Sequence, residues 1–95
     1  MSETYVASVG KNVYGFISLI DDYLAALFVL PEIQNSGIGS SLLDYAKKNR
    51  DILRLKVYAK NSKSIGFYKA YGFTIESEAV DEETGENEYI MEWHK

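Results

Sequence analysis

Apolar and polar positions divide the chain into runs of different period. Residues 4–9 form a short apolar-rich run with Tyr5, Val6, Ala7 and Val9, and Gly10-Lys11-Asn12 reads as a turn. Residues 13–20 form a second run, with Val13, Tyr14, Phe16, Ile17, Leu19 and Ile20, closed by Asp21-Asp22. Residues 23–30 are almost wholly apolar. The second and third runs lack alternation, which predicts strands covered on both faces. Short polar breaks between three such runs predict an antiparallel meander.

Pro31 has no N–H to donate and ends the third strand; residues 32–36 are a polar connection. The period then changes. From Gly37 onward, Ile38, Leu42, Leu43 and Ala46 fall at helical spacing, and Lys47, Lys48, Asn49 and Arg50 close the segment with positive charge. Residues 53–58 alternate, with Leu53, Leu55 and Val57 on one face and Arg54, Lys56 and Tyr58 on the other. Strand, helix and strand make a βαβ unit, whose two strands are expected to run parallel. Asn61 or Ser62 caps a second helix with Ile65, Phe67, Tyr68, Ala70 and Tyr71 as its apolar positions, and Gly72 ends it. Residues 73–80 and 88–93 are strand-like, joined by an acidic loop containing Gly85. The predicted order is βββ-α-β-α-ββ: an α+β fold with a mixed sheet, expected to be one domain over residues 1–95.

Composition narrows the chemistry. With 25% charged and 46% hydrophobic residues, the 95-residue chain has the balance of a soluble globular domain. Ten Lys+Arg against fourteen Asp+Glu leave a net charge of −4, so no electrostatic footprint for nucleic acid or an anionic membrane is expected. The absence of cysteine excludes a disulfide framework, a thiolate nucleophile and a Cys-bound metal, and one histidine, His94, makes no multi-His site; no metal is expected. No run approaches the ~20 apolar residues of a membrane span, and the first residues show no signal-peptide pattern. The expected location is the cytoplasm.

The stretch from Leu27 to Leu43 carries the chemistry. A strand runs into a polar loop, and then two glycines open a helix. A helix start offers unpaired N–H groups and partial positive charge, and glycine lets a phosphate approach without a Cβ in the way. The segment therefore reads as an anion cradle suited to a pyrophosphate, although Gly37 and Gly39 also serve a plain tight turn. A P-loop fails because no lysine stands between Gly39 and Ser40. A dinucleotide fingerprint fails because its third glycine is Leu42, and Val57 and Tyr58 stand where an acidic residue belongs.

Gln34-Asn35-Ser36-Gly37-Ile38-Gly39 resembles the Q/R-x-x-G-x-G/A signature of the GNAT N-acetyltransferases, and Asn61 followed by Phe67-Tyr68-Lys69-Ala70-Tyr71-Gly72-Phe73 resembles the family's N…FYxxxGF segment. The resemblance runs from Thr4 to the end and is to the family's small bacterial members. It implies that acetyl-CoA is the acetyl donor and CoA the product, with a primary amine attacking directly in a ternary complex. Backbone N–H groups of Gln34, Asn35, Ser36, Gly37, Ile38, Gly39 and Ser40 would then hold the pyrophosphate. The backbone of Phe28, Val29 and Leu30 would pair with the pantetheine arm like an added strand, and one of its N–H groups would polarise the thioester carbonyl. Asn61 would bond the CoA arm, or serve only as a helix cap. Tyr68 would protonate the departing thiolate, since a phenol of pKa near 10 suits a thiol near 8.5. Its bland alternative is a core aromatic, the role expected of Phe67, Tyr71 and Phe73. His94 reads as a surface residue. The general base stays open among Asp21, Asp22, Glu92 and a water chain.

GNAT chains usually begin with a strand and two helices, and this sequence starts at the meander. A truncated GNAT fold is therefore expected, with an intact acetyl-CoA half and a mostly absent acceptor half. A fragment, a catalytically silent acyl-CoA-binding module or subunit, and a homodimer all fit that departure. The homodimer is favoured because an uncovered apolar sheet face is costly in water.

Overall fold

A computed structural model describes residues 2–33 and 36–95. Its elements fall into two compact units, Met1–Asp51 and Ile52–Lys95. In the first, β1 (Ser2–Val9), β2 (Asn12–Ile20) and β3 (Tyr23–Val29) form the expected antiparallel meander. Helix α1 (Ile38–Lys47) packs on one face of it and buries Leu42, Leu43 and Ala46 in a core with Ile17, Leu19 and Leu24. Its helical spacing was the legible part of this segment. The Pro31–Ile33 stretch, read as plain connection, is a single 3₁₀ turn.

The expectation that β2 and β3 are covered on both faces is corrected. Burial in β2 alternates, with Gly15, Ile17 and Leu19 buried and Tyr14, Phe16 and Ser18 only half-buried. In β3 only Leu24 is buried. The apolar residues of the second face cover one another across strands. Phe16 stands opposite both Val6 and Phe28, and the two phenylalanine rings lie 5.8 Å apart. The same face stays open to solvent at Val6 (57% exposed), Ile20 (51%) and Phe28 (45%).

In the second unit, β4 (Ile52–Tyr58) and β5 (Thr74–Val80) both pair antiparallel with β6 (Asn87–His94). The alternation in β4 is as expected, with Leu53, Leu55 and Val57 buried beside Met91 of β6. Helix α2 (Ser62–Ala70) contributes Ile65, and Phe73 after it is buried. Phe67 and Tyr71, expected in the core, are half-buried. Asp81 closes the acidic β5–β6 loop, accepting from the Glu83 N–H (3.1 Å), the Thr84 hydroxyl (3.1 Å) and the Tyr58 hydroxyl (2.9 Å). Among the described residues, no helix is long and apolar enough to cross a membrane.

Candidate active site

The end of β3 leads into the start of α1. The Leu30 N–H donates to the Tyr14 carbonyl at 2.9 Å, so this residue's polar groups face β2. Antiparallel strands alternate, so Phe28 faces β2 as well and Val29 turns its N–H and C=O to the other edge of β3. After the 3₁₀ turn the Ser36 N–H bonds the Ile33 carbonyl (3.2 Å), and Gly37 takes a left-handed conformation with φ 90. Only the absence of a Cβ makes that conformation cheap. Open space surrounds the place where a Gly37 Cβ would stand.

Helix α1 has no side-chain cap. Its first intrahelical bond runs from the Ser41 N–H to the Gly37 carbonyl at 3.0 Å, which leaves the N–H groups of Ile38, Gly39 and Ser40 ahead of the ladder. The Ser40 hydroxyl donates to the same carbonyl at 2.9 Å. Gly39 lies inside the helix, where no special backbone angle is needed. Thus the first unit brings Ser36, Gly37, Ile38, Gly39 and Ser40 into one turn that follows Phe28, Val29 and Leu30 in the chain; Gln34 and Asn35 lie outside the described residues.

The second unit holds Asn61 and Tyr68. Asn61 caps α2: its side-chain oxygen accepts from the Ser64 N–H at 3.3 Å. The cap reading of this residue is therefore observed, while its side-chain NH₂ remains an additional donor. Tyr68 sits on α2 with its ring edge-on to Phe67 (5.4 Å) and Phe73 (5.5 Å). Burial pushes its phenol above the ordinary value near 10, because an apolar setting disfavours the phenolate. The side chain is half-buried rather than sealed, so it keeps the proton and also some access. At the end of the helix, the Phe73 N–H reaches the Tyr68 carbonyl (3.0 Å) and the Gly72 N–H the Lys69 carbonyl (3.2 Å), with Gly72 at φ 94. This 6→1 and 5→2 pattern is a Schellman closure, and it fixes the turn on which Tyr68 stands.

The candidate bases have their own partners. The Asp21 carbonyl accepts from Arg50 Nε at 3.3 Å, and Asp21 and Asp22 are exposed in the β2–β3 turn. Glu92 accepts from Arg54 (3.0 Å) and contacts His94 (2.9 Å), which together hold its carboxyl below the usual range, Arg54 contributing most. Glu76, Glu92 and exposed His94 bring three potential metal donors within 4.8 Å of one another. Arg54 already neutralises Glu92, and Glu76 accepts from Thr74 at 2.7 Å.

Two structural residues escaped the sequence reading. Arg50, read only as terminal helix charge, ties the Glu3 carboxylate (3.0 Å), the Asp21 carbonyl and the Ala46 carbonyl (2.9 Å) together. No local pattern announces a pairing between positions so far apart. Gly15 lies buried in the middle of β2, where a strand glycine signals close backbone approach.

A family model described as an acetyltransferase (GNAT) domain matches residues 1–75. Peptidyl-lysine N-acetyltransferase YiaC of Escherichia coli (strain K12) is 37% identical over 93 residues, covering 97% of this chain and 64% of that protein. The chain therefore spans just under two thirds of that relative's length. The solution structure of apo YjaB from Escherichia coli superposes with a TM-score of 0.83 at 26% identity, over 95% of this chain and 63% of YjaB. A Bacillus anthracis (str. Ames) protein solved with acetyl coenzyme A gives a TM-score of 0.87 at 21% identity, over 97% of this chain and 61% of that one, a likeness of fold. With the motif matches around Gly37 and Tyr68 and a family match over most of its length, this chain belongs to the GNAT acetyltransferase family.

Proposed function

We propose that the chain is an N-acetyltransferase that moves the acetyl group of acetyl-CoA to a primary amine. One observation carries this reading: α1 opens without a side-chain cap behind a left-handed Gly37, with open space where a Cβ would stand. Backbone dipoles at such a start hold a diphosphate without a basic patch, which suits a chain of net charge −4.

Acetyl-CoA supplies the activated acyl group. The N–H groups from Gln34 to Ser40 hold its pyrophosphate, and Asn61 donates its side-chain amide to the arm. The backbone of Phe28, Val29 and Leu30 is the stretch along which the pantetheine arm lies as an added strand. An N–H of this strand polarises the thioester carbonyl, which needs no enzyme nucleophile when an amine attacks directly. Tyr68 gives its proton to the departing sulfur, and its raised pKa keeps that proton in place until then. YiaC is named a peptidyl-lysine N-acetyltransferase, so a lysine side chain in a peptide is the first acceptor to assay.

The 95 residues act as one acetyl-CoA-binding domain in the cytoplasm, with no nucleic-acid or membrane partner. A second copy covers the open face formed by Val6, Ile20 and Phe28. Calorimetry with acetyl-CoA, CoA and NAD on one sample, with its sedimentation mass recorded, tests these points together. Heat from acetyl-CoA and CoA but not NAD is expected, from a dimer. No response to CoA at millimolar dose refutes the reading of function, and a strictly monomeric mass refutes the dimer. Thiol release with an amine present separates turnover from binding alone.

A further inference from the structure

We infer that Trp93 is a positioning residue for Tyr68, acting through the turn that closes α2, an inference that rests on the function proposed above. Helix α2 has few anchors of its own. Of its nine residues only Ile65 is buried, and Ile65 lies less than one helical turn before Tyr68. A helix fastened at one point pivots about it. The direction of Tyr68 therefore depends on what holds the end of α2 beyond it.

That end is tied to the Tyr68 carbonyl, which accepts from both the Tyr71 N–H (3.1 Å) and the Phe73 N–H (3.0 Å). Gly72, at φ 94, makes the reversal between these two donors. A tilt of the closure is thus passed directly to the residue that carries the phenol. Phe73 fastens the closure from inside, as a buried core side chain. Trp93 fastens it at Gly72. In the β4–β6 register Trp93 stands opposite Leu53, on the face that buries Leu55 and Met91. Its half-buried indole lies edge-on to the bare Cα of Gly72: a Cβ there would meet Trp93 Cδ1 at 3.1 Å and Nε1 at 3.6 Å. The indole takes up the room that a side chain at position 72 would need. Glycine here answers two demands at once, the left-handed backbone and the close approach of the ring.

Without the indole, the closure keeps Phe73 and gains freedom to rock about it. A displacement of about an ångström at a reacting group, caused from outside the chemistry, costs up to about a hundredfold in rate. The loss should fall on kcat. Acetyl-CoA affinity should hold, because its pyrophosphate is assigned to the α1 start.

The test is a double-mutant cycle on the full chain. Thiol release from acetyl-CoA is measured with a lysine-containing peptide, and acetyl-CoA binding by calorimetry. Rates are expressed per acetyl-CoA-binding site, so that unfolded chains do not count. Trp93→Val keeps a strand-forming residue and lacks the δ atom that meets Gly72; Trp93→Phe restores a ring carbon at that place. The valine variant is expected to lower kcat about tenfold or more, with the acetyl-CoA constant changed less than about twofold, and the phenylalanine variant to recover most of the loss. In a Tyr68→Phe background, Trp93→Val should change kcat less than about twofold, because the acid it positions is gone. The same loss in both backgrounds overturns the inference, since a merely structural role multiplies through. So does an unchanged kcat in Trp93→Val, or a phenylalanine variant as slow as the valine one. A valine chain without native circular dichroism makes Trp93 a requirement of folding and overturns it too. Failure of the proposed function looks different: the wild-type chain releases no thiol, or Tyr68→Phe alone turns over at the wild-type rate, and the inference falls with it.

Discussion

The two helices begin in opposite ways. Helix α2 starts on Asn61, whose side chain satisfies the Ser64 N–H, and it ends in a complete Schellman closure. Helix α1 starts on Gly37, which has no side chain to offer, and its first donors precede the ladder. A chain able to cap one helix with Asn61 has no difficulty encoding a cap for another. On the proposed function, the uncapped start is where local stability gives way to binding, and the capped helix is where Tyr68 is held in a fixed direction. In the proposed function the contrast divides the labour: backbone dipoles would grip in the first unit, and a positioned proton would act from the second.

The largest expected effect strikes the second half of that contrast. Tyr68→Phe removes the acid and leaves the ring in place, so kcat should fall ~10²–10⁴-fold while acetyl-CoA affinity holds. Steady-state kinetics beside calorimetry measure both. The raised pKa fixes the sign of the pH effect. Tyr68 stays protonated through the neutral range and loses its proton only above about pH 10, so the wild-type rate should decline on that account only there. Unchanged turnover in the variant ends the general-acid role.

Next comes the first half. Gly37→Val places a β-branched residue at φ 90, which costs of order 1–3 kcal/mol of backbone strain or forces the loop to rebuild. Either outcome disperses the N–H groups, and acetyl-CoA affinity should fall by more than about tenfold while the chain keeps the circular dichroism of the fold. Full-strength binding by this variant would sink the cradle.

How much of this was readable beforehand follows the range of the interactions. The helix over 38–47, the alternation in residues 53–58 and the Gly72 stop depend on neighbours a few positions away, and the sequence pattern carries them. The turn at Gly37 was legible because a glycine there does a local job, whereas Tyr68 stood out only by the family resemblance, its position alone reading as a core aromatic. The half-open faces of β2 and β3 were not, because an unbroken apolar run looks the same whether helices cover it or its own rings do. Arg50 with Glu3, and Gly15 with Phe28, are pairings made only by folding.

A smaller effect sharpens the capped side. Asn61→Ala removes the observed cap and should destabilise the chain by about 1 kcal/mol in urea melts. Asn61→Asp retains a cap oxygen but loses the NH₂ donor. If Asn61 also bonds the CoA arm, the aspartate variant keeps stability and loses acetyl-CoA affinity; if it only caps, both stay near wild type.

The smallest effect concerns acid. Glu3 holds the Tyr5 hydroxyl (2.6 Å) and Arg50, and these keep its carboxyl below the ordinary value near 4.5, the Tyr5 bond contributing most. A depressed carboxylate pKa means that the unfolded chain takes up this proton first as pH falls. The contribution of Glu3 is therefore full above the unfolded value and lost as pH drops through the folded one. Asp81 follows the same sign in the second unit, lowered chiefly by the Tyr58 hydroxyl. Glu3→Gln should flatten the wild-type loss of stability between about pH 5 and pH 3, measured by urea midpoints at each pH, and Asp81→Asn should do the same by a separate increment. Glu3→Gln should leave the acetyl-CoA affinity of the α1 start unchanged, because the Glu3–Arg50 tie fastens β1 and the β2–β3 turn to the far end of that helix. A loss of acetyl-CoA affinity in Glu3→Gln would show that the clasp and the cradle are coupled, and the division between holding and gripping would fail within the first unit.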